Sequence, residues 1–382
     1  MKRMFGAVLL LCMLAGLLPC YAGATDLEIP AKSAILMDMA TGTILYEQNS
    51  HAALPPASVT KVMTMLLIME AIDSGTIGWE DMVTASDNAA SKGGSQVYLK
   101  AGETMTVSDM LKAIAVSSAN DCACAMAEHL AGSEKAFVDN MNQRASQLGM
   151  GDTLFLNCTG LDDDPEAKDH KTSAHDIALM SRELMLHHPD IKKYTTIWMD
   201  TLRNGTFGLS NTNKLVRFYS GATGLKTGFT ASAGYCLSAT AQRDGMELIA
   251  VVMGAETSAD RFSACKSMLD YGFANFALIT PELPEEAIVP VRLGTAPAIK
   301  AVASKQNGIL IDKAQKGQIS TRMELEPEVT APVSMGQRLG TLEILAGDQV
   351  IAQIPLLAET AVGRVTWGDL FQKFLRYLAM SE

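Results

Sequence analysis

A serine attacks a carbonyl only when a neighbour takes its proton, and Ser58-Val59-Thr60-Lys61 supplies a hydroxyl and an amine three residues apart. On a helix that spacing puts both groups on one face. A lysine can accept the proton near neutral pH only where burial and nearby positive charge lower its pKa. The surroundings suit this. Pro55-Pro56-Ala57 halts the preceding chain and can start a helix. From residue 58 to 72 the apolar side chains of Val59, Val62, Met63, Met65, Leu66, Leu67, Ile68, Met69 and Ile72 cover nearly the whole circumference, which predicts a helix buried at the centre of a domain. The spacing alone is a weak signal. Ser263-Ala264-Cys265-Lys266 repeats it inside a later helix without a proline-bounded start, and reads as structural.

Two further constellations could serve such a nucleophile. Ser118-Ala119-Asn120 falls between two predicted helices, where a hydroxyl could relay a proton and an amide could hold a peptide carbonyl if both point inward. Ser86-Asp87-Asn88 has the same residue types but no predicted helix immediately before it, so Ser118 is preferred. Lys226-Thr227-Gly228 precedes a predicted hairpin and so belongs on an edge strand. An extended peptide could add to that edge, with Gly228 allowing close approach, Lys226 supplying positive potential and Thr227 a hydroxyl.

The elements that must position these groups follow from the pattern. Residues 34–39 and 43–46 read as a hairpin around Ala40-Thr41-Gly42. A capping box at Thr106 and Asp109 opens a helix ending near residue 116, and further helices are predicted over 121–130, 134–148, 173–186 and 260–276. Residues 235–241 and 246–253 form a second hairpin. Strands at both ends with helices between them predict an α+β domain over 25–279, one antiparallel sheet packed against a helical cluster. The proline-rich acidic stretch 280–287 reads as a linker, and 288–360 as a small all-β domain. Residues 364–382 form an amphipathic helix: Trp367, Leu370, Phe371, Phe374, Leu375 and Leu378 recur at three and four residues, with Lys373 and Arg376 beside them. That pattern suits a membrane surface.

Taken in order, Ser58-x-x-Lys61, Ser118-x-Asn120 and Lys226-Thr227-Gly228 resemble the three motifs of penicillin-binding proteins and serine β-lactamases. Residues 55–61, Ala89-Ala90-Ser91-Lys92-Gly93-Gly94-Ser95, Asn120-Asp121 and residues 223–230 resemble more closely the low-molecular-mass D-alanyl-D-alanine carboxypeptidases. The similarity runs from about residue 34 to 273, and the β module and terminal helix repeat that family's layout. The resemblance implies a penicillin-binding transpeptidase-like fold and a hydrolase that removes the terminal D-alanine from peptidoglycan stem pentapeptides. It also implies covalent inhibition by β-lactam antibiotics such as penicillin. Ser58 would be the nucleophile and Lys61 its base; Ser118 and Asn120 would relay protons and hold the substrate backbone. Lys226 and Thr227 would orient the substrate carboxylate, with Arg261 near it, and the backbone amides of Ser58 and Phe229, beside Gly228, would form the oxyanion hole. Ala119 and Thr159 depart from residues seen in some members, glycine and histidine, without removing a catalytic group. The alternatives are a serine β-lactamase, for which no Glu-x-x-x-Asn follows Asn120 at a suitable distance, and a non-catalytic wall-binding homologue.

Composition sets the compartment and the partners. Lys2 and Arg3, an apolar run over 8–18 and Ala22-Gly23-Ala24 read as a signal peptide over 1–24, so an exported protein at the outer face of the cytoplasmic membrane is expected. Removing that segment takes away two cations and moves the net charge from −11 to −13, which would repel nucleic acid. Of the cysteines, Cys122, Cys124, Cys158, Cys236 and Cys265 remain, unevenly spaced, and read as small buried hydrophobes rather than a disulfide framework. The six histidines show no ligand spacing, so no metal and no cofactor is expected.

Overall fold

The chain is seen in a computed structural model that describes residues 27–163, 167–280, 287–304 and 308–379. The expected signal peptide and most of the expected linker lie outside these residues.

The central sheet has five antiparallel strands, β1 (Ser33–Asp38), β2 (Ile44–Gln48), β3 (Ala222–Thr230), β4 (Gly234–Arg243) and β5 (Met246–Ala255), in the order β2-β1-β5-β4-β3. Both predicted hairpins are present, and β1 closes the sheet by pairing with β5, Ile35 opposite Val251. Alternation along a strand sends neighbours to opposite faces. Ile249, Val251 and Met253 therefore join the helical core, while Leu248, Ala250 and Val252 join a second core on the other face. The second face is covered by α6 (Ser258–Asn275), whose N-terminus carries a full capping box between Thr257 and Asp260. A sheet covered on both faces explains why β5 is buried along its whole length.

The first face packs against α1 (Lys61–Asp73), α2 (Val107–Ser117), α3 (Asn120–Ala131), α4 (Glu134–Gln147) and α5 (Ala174–His187). Thr106, Ser133 and Ser173 cap α2, α4 and α5 by accepting a backbone N–H three residues on. As its all-round apolar pattern requires, α1 is the central helix, with Val62, Met63, Met65, Leu66, Ile68 and Met69 fully buried.

One boundary differs from the sequence pattern. Ser58 does not open the α-helix; it lies in a 3-10 turn, Ala57–Thr60, that leads into α1. Pro55 and Pro56 restrict the entering chain, and Ala57 takes φ +48°, which no α-helix accepts. In a 3-10 turn residues i and i+3 eclipse, so Ser58 and Lys61 still share a face.

After α6 the chain forms β6 (Phe276–Ile279), and then β7 (Ile288–Arg292), β8 (Ala298–Ala303), β9 (Ile309–Asp312), β10 (Ile319–Leu325), β11 (Val329–Thr330), β12 (Arg338–Ala346) and β13 (Gln349–Ala358). Six of these make one sheet, β10-β12-β13-β8-β7-β11, over a core of Val289, Ile299, Leu339, Leu342, Ile344 and Leu356. β6 and β9 pair only with each other, an antiparallel ribbon that ties the end of the first unit to the β module. The helix α7 (Trp367–Ala379) follows.

Candidate active site

The turn carrying Ser58 is held from three sides. Lys61 enters from the first turn of α1, its Nζ 2.9 Å from Ser58 Oγ and donating to the Thr159 carbonyl at 2.8 Å. The side chain is fully buried. Burial lowers its pKa from 10.5 to about 7, against smaller opposing effects from Cys158 and Asp121. An amine at that value is half neutral near pH 7, and its lone pair can take the Ser58 proton.

Ser118 and Asn120 form the second wall. Ser118 ends α2 in the left-handed conformation, φ +66°, a geometry that costs energy for any residue with a Cβ. That break turns the chain so that Asn120 begins α3 immediately afterwards. The Asn120 backbone N–H and side-chain Nδ2 both reach the 91–99 loop, donating at 2.7 Å to the carbonyls of Ser95 and Gly93. Next to it, Asp121 is fully buried and accepts the N–H groups of Val97, Leu99 and Cys122. The Ala89–Ser95 motif thus packs against the Ser118 wall; a Cβ on Gly94 would stand 2.8 Å from Asn120 Nδ2.

Lys226, Thr227 and Gly228 lie on β3, which is an edge of the five-stranded sheet. The strand lies against the Ser58 turn: a Cβ on Gly228 would sit 2.7 Å from the Pro56 oxygen and 3.1 Å from the Ser58 nitrogen. Thr227 Oγ1 donates to Thr212 Oγ1 at 2.6 Å and Lys226 Nζ donates to the Thr227 carbonyl. Lys226 is buried, and that burial, with repulsion from Lys61 and Arg261, holds its amine well below the usual lysine range. Phe229, the next residue, is exposed and stacks on Tyr235 at 4.3 Å. Arg261 reaches from α6 to donate to the carbonyls of Gly228 at 2.8 Å and Cys236 at 3.3 Å, its guanidinium between Tyr235 and Phe262. It is buried beside the strand rather than in an ion pair on the surface.

Among the described residues, Ser118 Oγ, Asn120 Oδ1 and Arg261 Nε are buried without a protein hydrogen-bond partner. Ser33 Oγ and Asp38 Oδ2 on β1 share this condition, so it is not confined to the site. The decoys fall elsewhere. Ser263 and Lys266 are exposed on α6, and Ser86 caps the short helix Asp87–Ala90. Sequence reasoning missed the supports: the Thr159 carbonyl, Thr212, and the Thr60–His170 pair. Backbone carbonyls leave no signal in residue type. Cys122, Cys124, Cys158, Cys236 and Cys265 are buried thiols. Glu70, Glu183 and His188 could together hold a metal ion near the far end of α1, but Arg144 already bridges both carboxylates at 2.7 and 2.6 Å.

A buried lysine against a serine at the head of a central helix, faced by a lysine-bearing edge strand, is the geometry of a serine acyl-transfer enzyme. Comparison with known proteins narrows this. Residues 21–257 match the family profile described as D-alanyl-D-alanine carboxypeptidase, and residues 285–364 match the penicillin-binding protein 5 C-terminal domain. The chain is 41% identical over 371 residues to D-alanyl-D-alanine carboxypeptidase DacF of Bacillus subtilis, covering 94% of each. Penicillin-binding protein 5 from Haemophilus influenzae superposes with a TM-score of 0.79 at 32% identity, covering 90% of this chain and all of that one. Penicillin-binding protein D2 from Listeria monocytogenes, solved in an ampicillin-bound form, aligns with 65% of this chain and 99% of its own, with a TM-score of 0.59 at 33% identity. The chain belongs to the D-alanyl-D-alanine carboxypeptidase family, among the low-molecular-mass penicillin-binding proteins.

The Asp121 contacts make a stability prediction. Replacing Asp121 by alanine leaves three buried N–H groups without their acceptor, at roughly 1–3 kcal/mol for an unsatisfied group. Asp121→Ala should therefore lower the unfolding free energy by about 3 kcal/mol or more in chemical denaturation, and an unchanged midpoint would contradict the role given to this carboxylate.

Proposed function

We propose that this protein removes the terminal D-alanine from peptidoglycan stem pentapeptides through an acyl-enzyme on Ser58. The observation that carries the reading is the fully buried Lys61 amine, held at about 7 and 2.9 Å from the Ser58 hydroxyl. Ser58 Oγ attacks the carbonyl between the two D-alanines while Lys61 accepts its proton. The backbone N–H groups of Ser58 and Phe229 stabilise the oxyanion, and the Ser118 hydroxyl passes a proton to the departing amine. Asn120 holds the peptide backbone. Lys226 and Thr227 bind the terminal carboxylate, whose charge favours the ammonium form that burial otherwise opposes. Arg261 acts on the same edge by holding the Gly228 carbonyl. Water then releases the shortened peptide from Ser58. A β-lactam enters by the same attack, its ring amide opening on Ser58.

Incubation with a pentapeptide ending in two D-alanines should release free D-alanine, and penicillin should label Ser58. Ser58→Ala should abolish both, whereas Ser263→Ala, exposed on α6, should leave both within about twofold. Fast penicillin turnover without D-alanine release would favour a β-lactamase instead.

The base sets a pH dependence. Lys61 works when neutral, so the acylation rate should fall as pH drops through about 7, approaching tenfold per unit below it. Stopped-flow labelling by a penicillin across pH 5 to 9 measures the limb. A rate that is flat down to pH 5 would exclude Lys61 as the base.

The proposal extends to the cell surface: an exported protein held on the membrane by α7. No helix among the described residues is long and apolar enough to cross a membrane. Trp367, Leu370, Phe371 and Leu375, at helical spacing, are all exposed, which suits a helix lying in the interface. Deleting residues 364–382 should move the protein from the membrane to the soluble fraction while sparing hydrolysis of a small peptide. Continued membrane association would refute the assignment.

A further inference from the structure

The peptide group between Ala57 and Ser58 has two ends, and both are constrained. A peptide is planar and trans, so its C=O and N–H point in opposite directions and cannot turn independently. The N–H end belongs to Ser58, and the Ser58 nitrogen faces β3, where a Cβ on Gly228 would come within 3.1 Å of it. The C=O end belongs to Ala57 and points the other way, into the 157–170 segment. There Gly160, at φ +77°, passes so close that a Cβ would overlap the Ala57 oxygen. Fixing that oxygen fixes the direction of the Ser58 N–H.

The oxygen is held by a chain of three hydrogen bonds. Thr60 Oγ1 donates to the Ala57 carbonyl at 2.9 Å. His170 Nε2 lies 2.8 Å from the same Thr60 oxygen, and the Leu156 backbone N–H points at His170 Nδ1 from 3.1 Å. An imidazole nitrogen that receives an N–H has no proton of its own, so the hydrogen sits on Nε2 and is donated to Thr60. Thr60, with its acceptor site filled, turns its own hydrogen toward Ala57. Thr60 is fully buried and His170 nearly so, with the ring edge-on to Phe155. Burial, opposed by the nearby Asp162 carboxylate and aided slightly by Lys61, lowers the His170 pKa to about 4, so the ring stays neutral and this tautomer persists at neutral pH. Bonds linked in series inside a protein also reinforce one another.

We propose that His170, acting through Thr60, is a positioning residue that aims the Ser58 backbone N–H into the oxyanion hole. Neither side chain touches the substrate. The inference rests on the acyl-enzyme reading above and adds to it a link from Thr60, within the Ser58 motif, to His170 outside the motifs. The Ala57 backbone, at φ +48°, sits in a region that residues with a Cβ avoid, and the chain supplies a restraint that keeps it there.

Removing one oxyanion donor costs about 100- to 1,000-fold in rate; misdirecting it costs less. The test is acylation by a fluorescent penicillin, with the saturating rate resolved from the initial non-covalent binding constant, in the full chain. Thr60→Val and His170→Phe should each slow the saturating rate by about 10- to 100-fold and leave the binding constant within about twofold. The double variant should be no slower than the worse single one, because both cut the same chain. Thr60→Ser keeps the hydroxyl and should recover the rate to within about threefold of the unaltered protein. The acid limb set by Lys61 should stay at its original midpoint, since neither change exposes that amine. The proposal is overturned if Thr60→Val acylates within twofold of the unaltered protein, if losses in the double variant multiply, or if the acid limb moves, which would mean a general loosening of the site. Should His170→Phe fail to fold, the Thr60→Val and Thr60→Ser pair decides alone. A Ser58→Ala protein that still forms an adduct would defeat the acyl-enzyme reading instead, a distinct result.

Discussion

An ammonium group taken wholly out of water with no carboxylate hydrogen-bonded to it is an expensive thing to keep charged. At Lys61 the protein accepts this, and much of the architecture around Ser58 follows. A value of about 7 in place of 10.5 corresponds to roughly 5 kcal/mol of bias against the charged form. Only a site sealed on every side sustains it. The apolar helix α1 supplies one wall, the Thr159 carbonyl receives an N–H from the amine, and β3 covers the other side. Any movement that admitted water would return the lysine toward its ordinary range.

Around the Ser58 turn, close backbone approach and side chains that bind backbone carbonyls hold the groups together. Gly228 and Gly160 let two separate strands of chain approach the Ser58 turn at distances that a Cβ would forbid. Arg261 holds the carbonyl of one approaching segment, and Thr60 with His170 the carbonyl within the turn. Positive φ at Ala57 and Ser118 costs something in each case, and both residues sit where the chain must change direction to aim a reactive group. At Ala57 the strained turn is restrained by the buried hydrogen bonds of Thr60 and His170.

Much of this was legible in the sequence. The periodicity of residues 58–72 gave the central helix, the two hairpin signals gave four of the five central strands, and the capping box at Thr106 and Asp109 gave the start of α2. The three motifs could be ordered but not folded together by spacing, since they lie on the 3-10 turn entering α1, the α2–α3 junction and β3. Their resemblance to a family supplied the assembly. What stayed hidden was of another kind. A 3-10 turn and an α-helix share the i to i+3 face, so residue pattern could not distinguish them at Ser58. The ribbon of β6 with β9 pairs two short apolar runs across the linker, and nothing local marks either as the other's partner. Thr159 drew notice only as a departure from histidine, yet its contribution to the site is a carbonyl, which every residue possesses.

Lys61 and Lys226 divide between them a charge that the site cannot carry twice. Each is buried, and repulsion from Lys61 is one of the causes that hold Lys226 low. In the free protein the cost of a second ammonium falls on whichever lysine is worse solvated, and no nearby carboxylate is hydrogen-bonded to either amine among the described residues. A ligand carrying a carboxylate to β3 changes that balance, since an anion at Lys226 stabilises its ammonium. In the reading proposed above, a free terminal carboxylate would therefore meet at β3 a buried amine to which no carboxylate is hydrogen-bonded among the described residues, beside the Thr227 hydroxyl.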